Sequence, residues 1–385
     1  MSANPRDNLA HHWFITQKVL FPHMIKTEGP LSEHHKQLIT VIEFVRVEKY
    51  IPYFRNVGRP PEDRRSVVKA FIAKSVFNIQ TTVLLREYLQ NDKTLRRICG
   101  FNSIRDIPSL STFSRAFKEI AEWKLLDIIH AEVIKRYQSE HLIFHISRDS
   151  TAIEAREKVD PIRKAEMKKE ALLKKQKEEN KALGAISQKK RGRPKKGESR
   201  EPAPLKRLEK QVNQSLDEML KELSAVCDIG KKMNSQGICI KWRGYKLHID
   251  TANGGIPISV LLTSASVHDS GCALPLSRMT GLKVNYLYEI MDAAYDAEVI
   301  REDSLKRGHV PLIDFNRRNA NDNRQFMPHE KENYNQRSAS ERMNARLKDE
   351  FGGRMIRVRG AMKVKAHLMF GIIAITVDQL VRLVQ

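Results

Sequence analysis

Four residues near the C-terminal end share a spacing that chemistry can use: Tyr334, Arg337, Glu341 and Lys348, in YNQRSASERMNARLKDE. Tyr334, Glu341 and Lys348 recur every seven residues, almost two helical turns, so the spacing predicts a helix carrying all three on one face. A buried stripe at that spacing should be apolar. This one carries a phenol, a carboxylate and an ammonium, with a guanidinium between the first two, so it faces either water or a charged substrate. Two further acids stand out by position. Asp149 follows the apolar run His141 to Ile146, and Asp292 follows VNYLYEIM. Carboxylates at strand ends can converge on one edge of a sheet, where their repulsion demands cations. Mg²⁺ suits such a site, because it takes oxygen ligands, keeps several waters and bridges phosphate oxygens. Two such ions about 4 Å apart would activate a nucleophile and stabilise the leaving oxygen of an in-line displacement at phosphorus. Asp269 and Asp296 are alternatives to Asp292 as the second ligand. Asp292 is favoured because it directly follows the apolar run. His268 reads as a structural neighbour, and Trp242 as a core or hairpin residue rather than a platform for a base.

The elements that must position these acids can be read along the chain. The run ending at Asp149 predicts a first strand. ICIKWRGYKLHID and ISVLLTSASVHDS, joined at Asn253-Gly254-Gly255, predict a hairpin. The strand before Asp292 comes fourth, a helix over AEVIREDSLKRG follows, HVPLIDF is the fifth strand, and the helix of Glu341 comes after it. Upstream, RRSVVKAFIAKSVF, TTVLLREYLQ and SLSTFSRAFKEIAEW have helical spacing, the last with Ser109 or Ser111 as N-cap. Short helices ending in one rich in Ser, Thr and Arg, with Arg115 as a candidate DNA contact, suit either a helix-turn-helix reader of DNA or a plain helical bundle.

Charge narrows the partners. The 385 residues carry a net charge of +22, a polyanion-seeking balance that points to nucleic acid or an acidic membrane. The N-terminus lacks the apolar run of a signal peptide, and LMFGIIAITV from Leu368 has about half the residues needed to span a bilayer. The expectation is a soluble cytoplasmic protein on nucleic acid, with no membrane. Cys99, Cys227, Cys239 and Cys272 form no C-x-x-C pair and read as scattered free thiols. From Glu157 to Lys210 there are 19 Lys or Arg against 9 Asp or Glu, a net of +10. This stretch reads as an insertion: a solvated helix over PIRKAEMKKEALLKKQKEENKAL, then a helix with Leu205, Leu208, Val212, Leu216, Leu220 and Leu223 along one stripe. Between them, KRGRPKK places Arg191, Arg193 and Lys195 around Gly192 and Pro194. That core resembles an AT-hook, whose Arg enters a narrow A·T minor groove. Simple attraction of a flexible basic loop to phosphates is the other reading.

The quartet Tyr334, Arg337, Glu341 and Lys348 is similar to the Tyr-Arg-Glu-Lys signature of bacterial insertion-sequence transposases of the DDE class. RDST around Asp149 resembles the first acidic motif of that family. MDAAYD at Asp292 resembles the second, and WRGYKLHIDTANGGIPISVLLTSASVHDS the hairpin before it. GRPPEDRR to SLSTFSRAF resembles their DNA-binding region. The resemblance covers roughly residues 50 to 380 apart from the lysine-rich insertion.

It implies an α/β fold, a ribonuclease-H-like mixed sheet with flanking helices, preceded by a helical DNA-binding domain. The boundaries would be an N-terminal segment over 1–57 and the DNA-binding domain over 58–139. The catalytic domain would take 140–156 and 237–385, with the basic insertion over 157–236. Asp149, Asp292 and Glu341 would be both catalytic and metal ligands, holding two Mg²⁺ with Mn²⁺ as substitute. Tyr334, Arg337 and Lys348 would face DNA phosphates, Arg337 bidentately. The implied reaction is hydrolysis at the element's terminal inverted repeats and strand transfer of the 3′-hydroxyl into target DNA, by a homodimer or higher assembly in the bacterial nucleoid. A catalytically idle DNA-binding protein and a nuclease that cuts without joining are the competing expectations.

Overall fold

The computed structural model describes residues 5–51, 63–139, 141–182, 206–233, 236–316 and 325–385. Eight helices come first: α1 (Pro5–Ile15), α2 (Phe21–Glu28), α3 (Glu33–Val45), α4 (Arg64–Val76), α5 (Thr82–Asn91), α6 (Lys93–Ile98), α7 (Leu110–Glu122) and α8 (Leu125–Gln138). Side-chain caps start most of them. Ser32, Asp63, Thr81, Asp92 and Ser109 each accept a backbone N–H of the first turn, which settles the start of α7 on Ser109.

The sheet begins with β1 (Leu142–Glu154), followed by α9 (Pro161–Ala182), α10 (Arg207–Gln211) and α11 (Leu216–Glu222). Then come β2 (Asp228–Met233), β3 (Cys239–Ala252), β4 (Ile256–Ser264), α12 (Ala273–Gly281), β5 (Asn285–Met291), α13 (Glu298–Lys306) and β6 (Val310–Ile313). The chain closes with α14 (Pro328–Tyr334), α15 (Ser338–Asp349) and α16 (Ala361–Arg382). The strands form one mixed sheet in the order β4-β3-β1-β5-β6, with β2 pairing along the first half of β3. The β1, β5 and β6 strands are parallel, and β3 runs antiparallel to both β1 and β4. The expected hairpin is present, with Gly254 and Gly255 at positive φ in its turn.

Two expectations need correction. Asp149 does not end its strand: β1 continues to Glu154, because β3 goes on pairing with it from Asp149↔Ile249 to Glu154↔Gly244. The strand that leaves is β5, whose last pair with β1 is Arg148↔Met291. The leucine stripe is not one helix either. It breaks after α10 and restarts at Ser215, whose hydroxyl takes the Glu218 N–H while Glu218 returns to the Ser215 N–H. Leu208, Val212 and Met219 then pack with Met291 and Ile313 of the sheet and with Tyr295 in the turn after β5, whereas Leu220 and Leu223 pack with Val267 and Leu276. Leu205 lies outside the described residues.

One hydrophobic core runs from Leu9 through α3, α4, α7 and α8 to β1, β3, β4, α15 and α16. At its centre is α16, which packs on β4 and on α3, α4, α7 and α8. It is longer than its apolar run and alone among the described residues is long and apolar enough to cross a membrane, yet most of it is buried inside the protein. Gly371 lets it approach α15: a Cβ there would lie 2.7 Å from the Phe351 carbonyl oxygen. All four cysteines are free.

Candidate active site

Register brings the first two acids together. In a parallel pair, Arg148↔Met291 makes Asp149 and Asp292 the next residues at one level on neighbouring strands, which lie about 4.8 Å apart. Asp292 leaves β5 by capping the turn Ala293–Tyr295, its Oδ1 accepting the Ala294 N–H at 2.9 Å. Asp149 accepts the Asn344 side-chain amide of α15 at 2.9 Å. Ser147, two residues earlier, donates to Ser340 Oγ at 2.9 Å and to the Arg337 carbonyl at 3.3 Å. Ser340 and Asn344 belong to the buried face of α15 with Met343 and Leu347, so the helix is fixed in register against β1. Glu341 and Lys348 then fall along its more open edge.

Electrostatics single out the same pair. Burial pushes the Asp149 carboxyl up to about 6, and the negative charge of Asp292 adds to it. Burial raises Asp292 as well, with Asp269 as its repelling neighbour. Arg337 and Lys232 act on both acids in the opposite sense. Glu341 is turned to Arg337, whose Nη2 donates to it at 2.5 Å, and its side chain is 53% exposed. Among the described residues no three Asp, Glu, His or Cys side chains are grouped to hold a metal ion, so the third acid does not join the other two here.

The rest of the quartet divides. Tyr334 ends α14 and stacks on Phe326 with ring centroids 4.9 Å apart; burial, with Asp314 nearby, raises its phenol to about 12. Lys348 is half-buried, and burial followed by repulsion from Arg354 and Lys232 lowers its ammonium. Arg115 is exposed on α7, bonded to Thr112 Oγ1 at 3.4 Å. Arg191, Arg193 and Lys195 lie outside the described residues.

Both alternatives for the second acid already hold a cation of the protein. Asp269 accepts Lys246 Nζ at 2.9 Å. Asp296 bonds Arg301 at 2.8 Å and the Asn316 N–H at 2.9 Å, fixing the exit from β6. His268 caps the short turn Asp269–Cys272. Trp242 is 8% exposed and lies over Gly230, where a Cβ would come within 2.3 Å of the ring, so it is a hairpin core residue.

Three positioning groups escape a reading of the sequence alone. Asn344 has one signal, an Asn inside a helix that it disfavours. Ser147 looks like any strand serine. Lys232 belongs to the basic stretch, and only the pairing of β2 with β3 brings it near the acids.

Residues 221–377 match the family described as "Transposase DDE domain", and residues 24–119 match a second family described as "Transposase domain". Asp292 and Glu341 fall inside the first match, while Asp149 lies between the two. Comparison with curated proteins and with solved structures gave no match. The two family matches together support a transposase of the DDE type.

Proposed function

We propose that this chain is a DDE-type insertion-sequence transposase that cuts DNA phosphodiesters at its element's ends and joins the freed 3′-hydroxyl to target DNA, with Asp149, Asp292 and Glu341 as its acids. The observation that carries the reading is the parallel register that sets Asp149 beside Asp292, with α15 bonded to β1 next to them. The mixed sheet with flanking helices supports the ribonuclease-H-like fold.

Asp149 and Asp292 fit a divalent cation: both are raised by burial, and Asp149 also by the other's charge, so a cation between them would relieve the repulsion. Glu341 would join them by exchanging its bond to Arg337 for the ion. Mg²⁺, or Mn²⁺ in its place, would supply an activated water and neutralise charge on the leaving oxygen. The protein's own part is to orient. Asn344 and Ser147 fix α15, and thereby Glu341, against β1. Arg337, released from Glu341, would clamp a phosphate with its planar fork, and Lys348 would attract the next as a point charge. Bringing two element ends together requires at least two protomers on DNA.

The test is Mg²⁺-dependent cleavage and joining of DNA carrying the native ends, with wild type beside Asp149→Asn and Glu341→Gln. Wild type should cut and join, while both variants should retain DNA binding and lose cutting. Binding by all three without cutting, in Mn²⁺ as well, would replace this reading with that of an idle DNA-binding protein. Cutting without joining would make it a nuclease.

A further inference from the structure

A cavity of about 780 Å³ opens where α4, α5 and α7 meet the N-terminal end of α16, and none of the three acids lines it. Its floor is a cluster of rings: Phe71 packs edge-on to Phe113 and Phe117 at 5.6 and 5.0 Å, and lies 5.6 Å from Phe370. Val83 and Leu110, in the first turns of α5 and α7, are exposed and also line it. Five cations contribute to the wall: Lys74, Arg156, Arg357, Arg359 and Lys363. No carboxylate lines it, and among the described residues none of the five is ion-paired.

Buried charge without a counter-charge is costly. Lys74 feels it most: burial, with Arg357 as a second cation beside it, lowers its ammonium to about 8. Burial, together with Lys74, lowers His367 on α16 to about 4, and its Nε2–H donates to the Gly352 carbonyl at 3.0 Å. Outside the lining, the nearby Glu157 is occupied by the Tyr245 hydroxyl at 2.5 Å and the Gly360 N–H at 3.0 Å. An apolar floor under an uncompensated cationic wall fits a ligand with a flat apolar body and an anionic chain.

We propose that this cavity holds an unpaired nucleotide of the DNA strand, its base against the phenylalanine floor and its phosphates against Arg357, Arg359 and Lys74. The volume is that of a small-molecule pocket, too small for a duplex. Placement agrees with the site. Arg156 follows the end of β1, seven residues beyond Asp149, about 20 Å of extended strand. Lys348 lies on the chain between Glu341 and Arg357, a cation between the acids and the cavity wall in sequence. Unpaired bases are held in this way, by apolar contact to the ring and cations along the backbone. The proposal rests on the transposase reading for the choice of DNA as the source of the nucleotide.

The experiment measures binding of a short labelled oligothymidylate, and of a blunt duplex of equal length, to full-length protein without divalent metal. Lys74→Met should weaken oligothymidylate binding about ten-fold and duplex binding by less than about two-fold. The same variant should melt at a higher temperature, since it removes an unpaired, half-buried charge, and a purely structural lysine would not show that opposition. The double variant Arg357→Gln, Arg359→Gln, at two exposed positions, should reproduce the selective loss with the fold intact. Unchanged single-strand affinity in both variants overturns the proposal, and so does an equal loss on duplex and single strand. Selective loss in a protein that never cuts would sink the transposase reading and leave the cavity assignment standing.

Discussion

Asn344 connects two parts of the site that are far apart in the chain. Its amide donates to Asp149 at 2.9 Å from a position one turn beyond Glu341, so one side chain orients the first acid and the helix of the third. A charge-assisted hydrogen bond of this kind contributes on the order of 1.5–3 kcal/mol. Asn344→Ala should therefore slow cleavage about ten-fold or more with DNA affinity unchanged, measured as single-turnover cutting against filter binding. Cutting at the wild-type rate would show that α15 is held without it. Asn344→Asp should be worse than alanine, since it sets a third negative charge against Asp149 and Asp292.

At the scale of elements, β1 is held by a buried ion cluster. Arg148 is 1% exposed and meets Asp250 of β3 with two parallel bonds at 2.7 and 2.8 Å. It also reaches Glu289 of β5 at 3.3 Å, so it ties together the two strands that flank β1. Burial alone would raise Glu289; Arg148, with the Ser304, Ser277 and Tyr286 hydroxyls, holds it down at about 2 instead. Thr280 donates to Asp250 at 2.7 Å. Removing the cation leaves two buried carboxylates unmatched. Arg148→Met should cost about 3–5 kcal/mol of stability, read from urea midpoints at neutral pH. A loss near zero would mean that the hydroxyls suffice.

For the whole molecule, three fully buried histidines set the acid limit of stability. Burial lowers His130 to about 3, with Lys283 and Lys365 adding to it and the Pro257 carbonyl opposing. Burial lowers His248 to about 4 against the pull of Asp269, with Lys246 and Arg148 on the side of burial, and lowers His367 to about 4 together with Lys74. Unfolded, each would titrate near 6.5. Between about 6.5 and 4 the unfolded chain binds protons that the folded one refuses, so stability falls as pH falls through that window. Each histidine contributes about 1.4 kcal/mol per pH unit within it. Urea midpoints at pH 7.5, 6 and 5 should decline, and His130→Gln should flatten the decline. A flat profile would show that these rings protonate without unfolding.

The residue types fixed much of this in advance, since helix caps, the Asn253-Gly254-Gly255 turn and the apolar run before Asp292 are local signals carried by neighbours in the chain. The spacing of Tyr334, Arg337, Glu341 and Lys348 announced a single charged helix, but only Glu341 and Lys348 share α15, since Tyr334 ends α14 and Arg337 closes the short turn between them; the net charge of +22 pointed to a polyanionic partner. Tertiary structure decided what depends on distant partners. The β1 strand passes through Asp149 because β3 continues beside it, and the leucine stripe divides between two apolar clusters, one reaching β5 and β6 and one against α12. Cations from positions 74, 156 and 357 to 363 line one cavity only once α4, β1 and α16 are brought together. Pairing partners and the dielectric around a charge are set by contacts between segments hundreds of residues apart, and no periodicity within one segment encodes them.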